Sequence, residues 1–241
     1  MSPLRHFVLF IGLATAVFAE PAASDTTRAR LTIGVAGDST VADRAESAHL
    51  CGWVQLLRRE LKSDVVVHNL ARGGRSSKSF IEEGLWQQLL ARRPDFVLVQ
   101  FGHNDSKRED YRRTDPATTY KDYLRRYADE SAAAGALLVF ITPMERRNFG
   151  ADGKIQPTNH GYAQAMREVA AEKRVPVIDL HAHSVLVLEQ MGAAASDALG
   201  SVATDRTHWS AAGAQRWADF IGRELRQLTD PRYTALVTAF L

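Results

Sequence analysis

A serine, Ser39, stands in Gly37-Asp38-Ser39 directly after a short apolar run, and far downstream Asp205 and His208 are spaced i,i+3 in DRTH. A serine hydroxyl is a weak nucleophile until a base takes its proton, and an imidazole serves as that base best when a third group fixes its ring. The i,i+3 spacing puts Asp205 and His208 on one side of a single turn, so Asp205 is expected to hold the imidazole while His208 addresses Ser39. Acyl transfer through a serine also needs preorganised donors where negative charge develops on the carbonyl oxygen. The Ser39 amide, the Gly74 amide and the side-chain amide of Asn104, in GHND, are the available donors. Each fragment alone is ordinary, since a Gly-Gly pair marks a turn and Gly-x-Asn-Asp an Asx turn. Their joint placement along the chain is what points to chemistry.

The elements that must position them are legible as alternating segments. Residues 31–36 (LTIGVA), 65–67, 96–101 (FVLVQF), 136–142 (ALLVFIT) and 175–180 (VPVIDL) read as strands, while 53–61, 80–90, 120–134, 162–172 and 211–228 carry apolar residues at helical spacing. Short apolar strands separated by helices mean βαβ units and a parallel sheet covered on both faces. With right-handed crossovers this is an α/β fold in three layers, α/β/α. Ligands of such sheets bind beyond the carboxyl ends of the strands, where residues 37–40, 73–76 and 102–105 fall, with 205–208 arriving just before the last helix. No repeat or linker composition interrupts the chain, so residues 28–241 are expected to form one domain.

Composition narrows the classes further. The 241 residues are 45% hydrophobic and 24% charged, as in ordinary globular proteins. Thirty Lys and Arg against 28 Asp and Glu leave +2, too balanced to advertise a nucleic-acid or membrane surface. Residues 1–19 read as an export signal: Arg5 and His6 precede the apolar run 7–18, and Val17-Phe18-Ala19 supplies a small-residue cleavage site, with cleavage as far as residue 23 also compatible. That run is shorter than the roughly 18–20 residues a membrane-spanning helix needs, so a secreted or periplasmic protein with no membrane partner after signal removal is expected. Cys51 is the single cysteine, which excludes an intramolecular disulfide and a Cys-based zinc site, and its apolar surroundings predict a buried structural thiol.

Taken in order, GDST, NLARGGRSS, FGHND and TDRTHWS resemble the four blocks of the SGNH (GDSL-type) hydrolases. Within them, ARGGRSSKSF, VQFGHNDSK, ITPMERRNF, VPVIDLHAHS and DRTHWSAAGA are similar to the rhamnogalacturonan acetylesterase-like branch, over roughly residues 32–228. The resemblance implies a flavodoxin-like sheet of about five parallel strands and no cofactor. It also implies Ser39 as nucleophile, Asp205 and His208 as its partners, and Ser39, Gly74 and Asn104 as oxyanion donors. Gly73 competes with Gly74 for that role, and Gly74 is chosen because it directly precedes the Arg-Ser of the motif. The implied substrate is an acetylated plant cell-wall polysaccharide, rhamnogalacturonan first, with acetylxylan or another short-chain acyl or oligosaccharide ester as the alternative.

Other residues near the strand ends carry two readings each. His103 either lines the substrate pocket or makes a structural hydrogen bond. Arg146 and Arg147 follow the fourth strand, and Arg147 is the candidate to take a uronate carboxylate, against a structural pairing with Glu145 or Asp152. His181 and His183 form a His-x-His pair, which reads as a polar strand end or helix start rather than a metal site, so no metal ligands are assigned. A metallophosphoesterase fits less well because the downstream paired histidines of that class are missing. A non-catalytic carbohydrate-binding protein would not be expected to keep Ser39, Asn104, Asp205 and His208 together.

Overall fold

Aliphatic and β-branched residues dominate five short segments, and all five are strands in the computed structural model, which describes residues 30–45, 49–202 and 204–241. The segments β1 (Thr32–Gly37), β2 (Val66–Asn69), β3 (Phe96–Gln100), β4 (Leu137–Ile141) and β5 (Val177–Ile178) pair in parallel in the order β2-β1-β3-β4-β5. This is the expected flavodoxin-like order. The export signal expected at residues 1–19 lies outside the described residues.

The period of two along each strand divides the core into two layers. Ile33, Val35, Phe96, Leu98, Val139 and Ile141 face one side, and Ala36, Val97, Val99, Leu138 and Phe140 face the other. The first side is covered by α1 (Trp53–Leu57), α6 (Leu180–Asp197), α7 (Ala211–Arg226) and α8 (Thr234–Val237). The second is covered by α2 (Ser77–Glu82), α3 (Leu85–Leu90), α4 (Thr119–Ala133) and α5 (His160–Lys173). All five residues of β3 are buried, as a central strand covered on both faces requires. Truncating one of these side chains, Leu98 for example, costs roughly 2–5 kcal/mol.

Three elements differ from the expected ones. The helix expected over 80–90 is two helices, because Gly84 adopts a left-handed φ of 77° as the N-cap of α3. The segment 53–61 ends as α1 followed by a 3-10 turn, Arg58–Glu60. The largest difference is α6, whose polar start in DLHAHS hid a helix capped by the Asp179 carboxylate, which accepts from the Ala182 amide at 3.2 Å. This helix kinks at Gly192, with φ of 75°, before its last turn.

The topology sets where chemistry can occur. Strands β1 and β3 are neighbours, with Gly37 level with Gln100, so the chain leaves both at the same sheet edge. A buried relay ties the two exits together: Trp53 Nε1 donates to Gln100 Oε1 at 2.9 Å, and Gln100 Nε2 donates to Thr40 Oγ1 at 2.8 Å. Gly102, with φ of 146°, carries the loop after β3 past Pro143, where a Cβ would come within 2.6 Å of the proline Cγ.

Candidate active site

Ser39 follows β1 in a loop built by Asp38. The Asp38 carbonyl accepts from the amides of Val41 and Ala42 at 3.2 and 3.0 Å, and its carboxylate accepts from the Thr40 amide and hydroxyl at 2.9 and 2.8 Å. These bonds turn the backbone sharply and leave Ser39 half-buried at the rim, its hydroxyl turned to the loop that precedes α7. That loop delivers the imidazole: His208 Nε2 lies 2.8 Å from Ser39 Oγ, and His208 Nδ1 lies 2.7 Å from Asp205 Oδ2. The structure therefore brings Ser39, His208 and Asp205 into one hydrogen-bonded chain.

Asp205 is fastened on every side. Its Oδ1 accepts from the amides of Thr207 and His208 at 2.8 and 3.0 Å, and its Oδ2 also accepts from Ser201 Oγ at 3.1 Å. Burial alone would raise its carboxyl, but the amides of His208 and Thr207 and the His208 ring outweigh it and hold the group far below the ordinary value. An acceptor-only carboxylate makes Nδ1 the protonated nitrogen and leaves Nε2 to accept from Ser39.

On the other flank, β2 runs into the glycine turn. Gly74 has a φ of 81°, a conformation that favours glycine, whereas Gly73 keeps a negative φ. Among the described residues, the amides of Ser39 and Gly74 donate to no protein acceptor. Asn104 Nδ2 donates to the Arg75 carbonyl at 2.9 Å, which occupies one of its two N–H groups. Arg112 Nη1 approaches Asn104 Oδ1 at 3.4 Å and the Gly74 carbonyl at 3.5 Å, so both acceptors face the arginine. Glu109 neutralises that arginine at 2.5 Å.

Two expected substrate contacts are corrected by burial. The Arg147 side chain, at 1% exposure, reaches no solvent: Nη1 donates to the His208 carbonyl at 3.0 Å, Nη2 to the Asp205 carbonyl, and the guanidinium stacks 4.5 Å above the Trp209 ring. Its backbone amide also donates to the Arg206 carbonyl at 2.9 Å. It supports the His208 loop from beneath and has no face left for a sugar carboxylate. His103, at 2% exposure, does not line a pocket either; its Nδ1 stands 3.4 Å from Asp38 Oδ2 under the Ser39 turn. Burial would raise the Asp38 carboxyl, but His103 and the Thr40 donors hold it below its ordinary value.

Arg146 bridges two loops of the site, donating to Thr207 Oγ1 at 2.6 Å and to the His103 carbonyl at 3.0 Å. The two histidines of the His-x-His pair diverge. His181 Nε2 lies 3.2 Å from Glu145 Oε2, while His183 stacks on Phe220 with ring centroids 3.8 Å apart. Among the described residues no group of three or more His, Cys, Asp or Glu is arranged to hold a metal ion. Cys51 is half-buried against the core, and burial pushes its thiol up, away from the reactive thiolate.

Sequence reasoning missed Gln100, although a glutamine closing an otherwise apolar buried strand was a usable signal. It also missed Arg112 and the true partners of Arg147, whose acceptors are backbone carbonyls that no residue type announces.

Known proteins are similar to this chain in sequence and fold. Rhamnogalacturonan acetylesterase RhgT of Bacillus subtilis is 36% identical over 219 residues, covering 85% of this chain and 93% of that protein. A crystal structure of the YXIM protein of Bacillus subtilis superposes with a TM-score of 0.71 at 26% identity, over 82% of this chain and 56% of that one, so the chain spans little more than half of that neighbour. The acetyl xylan esterase Axe2 of Geobacillus stearothermophilus shares the fold at a TM-score of 0.65 and 20% identity, over 80% of this chain and 94% of its own. The model of the GDSL-like lipase/acylhydrolase family matches residues 35–216, and the chain belongs to that family of carboxylic ester hydrolases.

Proposed function

We propose that this protein is an exported serine esterase that removes acetyl groups from a plant cell-wall polysaccharide, with rhamnogalacturonan as the substrate ahead of acetylxylan. The observation that carries the reading is the continuous chain from Ser39 Oγ through His208 to Asp205, at 2.8 and 2.7 Å. The choice of polysaccharide is supported by the 36% identity to a rhamnogalacturonan acetylesterase over most of both chains. The likeness to Axe2 is one of fold and carries no substrate.

In this mechanism Ser39 Oγ attacks the acetyl carbonyl carbon while His208 Nε2 takes its proton. The oxyanion that forms is held by the amides of Ser39 and Gly74 and by the free N–H of Asn104 Nδ2. The tetrahedral species collapses by breaking the bond to the sugar oxygen, which leaves with the proton from His208. A water then loses a proton to His208 and attacks the acetyl-enzyme. Acetate departs and the proton returns to Ser39. Asp205 stays ionised throughout and stabilises the imidazolium. No step calls for a cofactor.

The test is acetate release from acetylated rhamnogalacturonan and from acetylxylan by the wild type and by S39A. Release by the wild type alone, faster from rhamnogalacturonan, is the expected outcome. Equal release by both proteins would remove Ser39 from the mechanism, and faster release from xylan would reverse the substrate choice. The export reading is tested separately, by determining the N-terminus of protein recovered outside the cytoplasm, which is expected to begin between residues 20 and 24.

A further inference from the structure

A cation without a counter-ion among the described residues stands beside Ser39. Arg44 is held in place through its backbone, its amide donating to Gln55 Oε1 at 2.8 Å and its carbonyl accepting from Gln55 Nε2 at 2.8 Å. Its guanidinium leans over the Ser39 turn, with Nη2 donating to the Ser39 carbonyl at 3.2 Å. Among the described residues no carboxylate pairs with it, Nη1 donates to no protein acceptor, and Nε is buried without one. A half-buried guanidinium with open donors beside the nucleophile is placed to take an anionic ligand. Arg112, on the far side of the same glycine turn, differs in being neutralised by Glu109.

The space between Arg44 and Ser39 is kept open by Gly73. A Cβ built on Gly73 would sit 3.4 Å from Arg44 Nη2, 3.9 Å from Arg44 Nη1 and 3.7 Å from Ser39 Cβ. Because Gly73 is not in the left-handed region, its backbone does not require glycine. What the missing side chain provides there is room, bounded by the serine on one side and the guanidinium on the other. Arg72, exposed in the same turn, adds further positive charge.

We propose that this gap is an anionic-sugar subsite in which Arg44 takes the carboxylate of a uronic acid at or next to the acetylated residue. The proposal rests on the polysaccharide esterase reading and specifies the chemistry of its substrate. The guanidinium supplies the planar, permanently charged donor that carboxylates favour, in a position from which it orients the sugar without touching the reacting acyl group. It assigns to Arg44 the role that burial denies to Arg147, and it explains how one wall of the site separates an acidic backbone from a neutral xylan.

The experiment compares acetylated rhamnogalacturonan oligosaccharides with the same oligosaccharides whose carboxyls are capped as neutral methyl amides, for the wild type, R44Q and R44K. The wild type is expected to prefer the acidic form, with a KM that rises with ionic strength for that form alone. R44Q is expected to lose at least about tenfold of that preference, chiefly through KM, and R44K to recover part of it. An unchanged preference in R44Q, or an equal fall on both forms, would overturn the subsite and reduce Arg44 to a support for the Ser39 carbonyl. If the wild type released acetate from neither form, the polysaccharide reading would fall with it. Release from the acidic form with an unaltered R44Q preference would remove the subsite and leave that reading intact.

Discussion

Arg147 holds His208 through the main chain, its Nη1 donating to the His208 carbonyl at 3.0 Å while the adjacent Nη2 donates to the carbonyl of Asp205. One planar group therefore sets the spacing of the two residues that must stay aligned with Ser39. Gly200 makes this possible, because any side chain there would run into the guanidinium. Lysine offers one point of charge in place of the fork. R147K is expected to lower kcat about ten- to a hundredfold with KM within about twofold. R147M, which takes the guanidinium donor from the Asp205 carbonyl and leaves the His208 carbonyl only the Ser201 amide at 3.2 Å, is expected to cost about 1–3 kcal/mol of stability. Paired kinetics and thermal melts check both, and a loss of KM with kcat preserved would return Arg147 to substrate binding.

Replacing Asp205 with asparagine would retain the shape of the turn but remove the charge that selects the Nδ1-protonated ring. D205N is expected to lower kcat by about 10⁴-fold, with a fold indistinguishable by circular dichroism. A loss smaller than about tenfold would show that the ring is oriented by other contacts.

At the oxyanion position, N104A removes a donor and frees Arg112 Nη1 from one of its two acceptors. A drop in kcat of about a hundred- to a thousandfold with little change in KM is expected. G74A should be at least as damaging, because alanine is strained at a φ of 81°. Steady-state kinetics on a small acetyl ester separate the two effects, the second being accompanied by a lowered melting temperature.

Two buried carboxyls respond to pH in opposite senses. Glu145 would be raised by burial alone, but His181, Thr158 and the amides of Asn159 and Arg146 bring it down to about 2. Its contribution is fully present above the ordinary glutamate value of about 4.5 and is lost as pH falls from there through about 2. Asp105, which accepts from the Ser77 hydroxyl at 2.5 Å and from Thr114 Oγ1 at 2.9 Å, is pushed up to about 7 by burial. Its folded form favours the proton, so stability is eroded as pH rises from about 4 through 7. E145Q is expected to flatten the acid limb of a stability-versus-pH curve and D105N the neutral limb. Denaturant titrations at pH 3, 5 and 8 would show either limb unmoved if the assignment were wrong.

Much of this arrangement could be read from residue order because it depends on local patterns. Near-continuous apolar runs mark β1, β3 and β4, and the loops that follow these strands must emerge on one edge of a parallel sheet, which is why Ser39 and Asn104 were expected together. Helix α6 escaped because its first turn, Leu180 to His183, buries a histidine against Glu145 and stacks another on Phe220, so its polar residues do not mark a solvent face. The α2–α3 break depends on the backbone of Gly84, and glycine inside a helical pattern signals a break only weakly. Arg147 was misread for a third reason. A guanidinium bound to main-chain oxygens 58 and 61 positions away is specified by tertiary packing, and a sequence offers no complementary side chain to suggest it.

Ser39 and His208 are separated by 169 positions, and the hydrogen bond between them joins the first strand of the sheet to the loop before its last long helix. A chain emerging from its N-terminus carries the nucleophile early and the base almost last. The half-made protein is therefore chemically silent, however complete its sheet. In the finished molecule the same span makes hydrolysis a reporter of closure: fraying of the segment from Ser201 to Ser210 would switch off turnover while β1 to β4 remained folded.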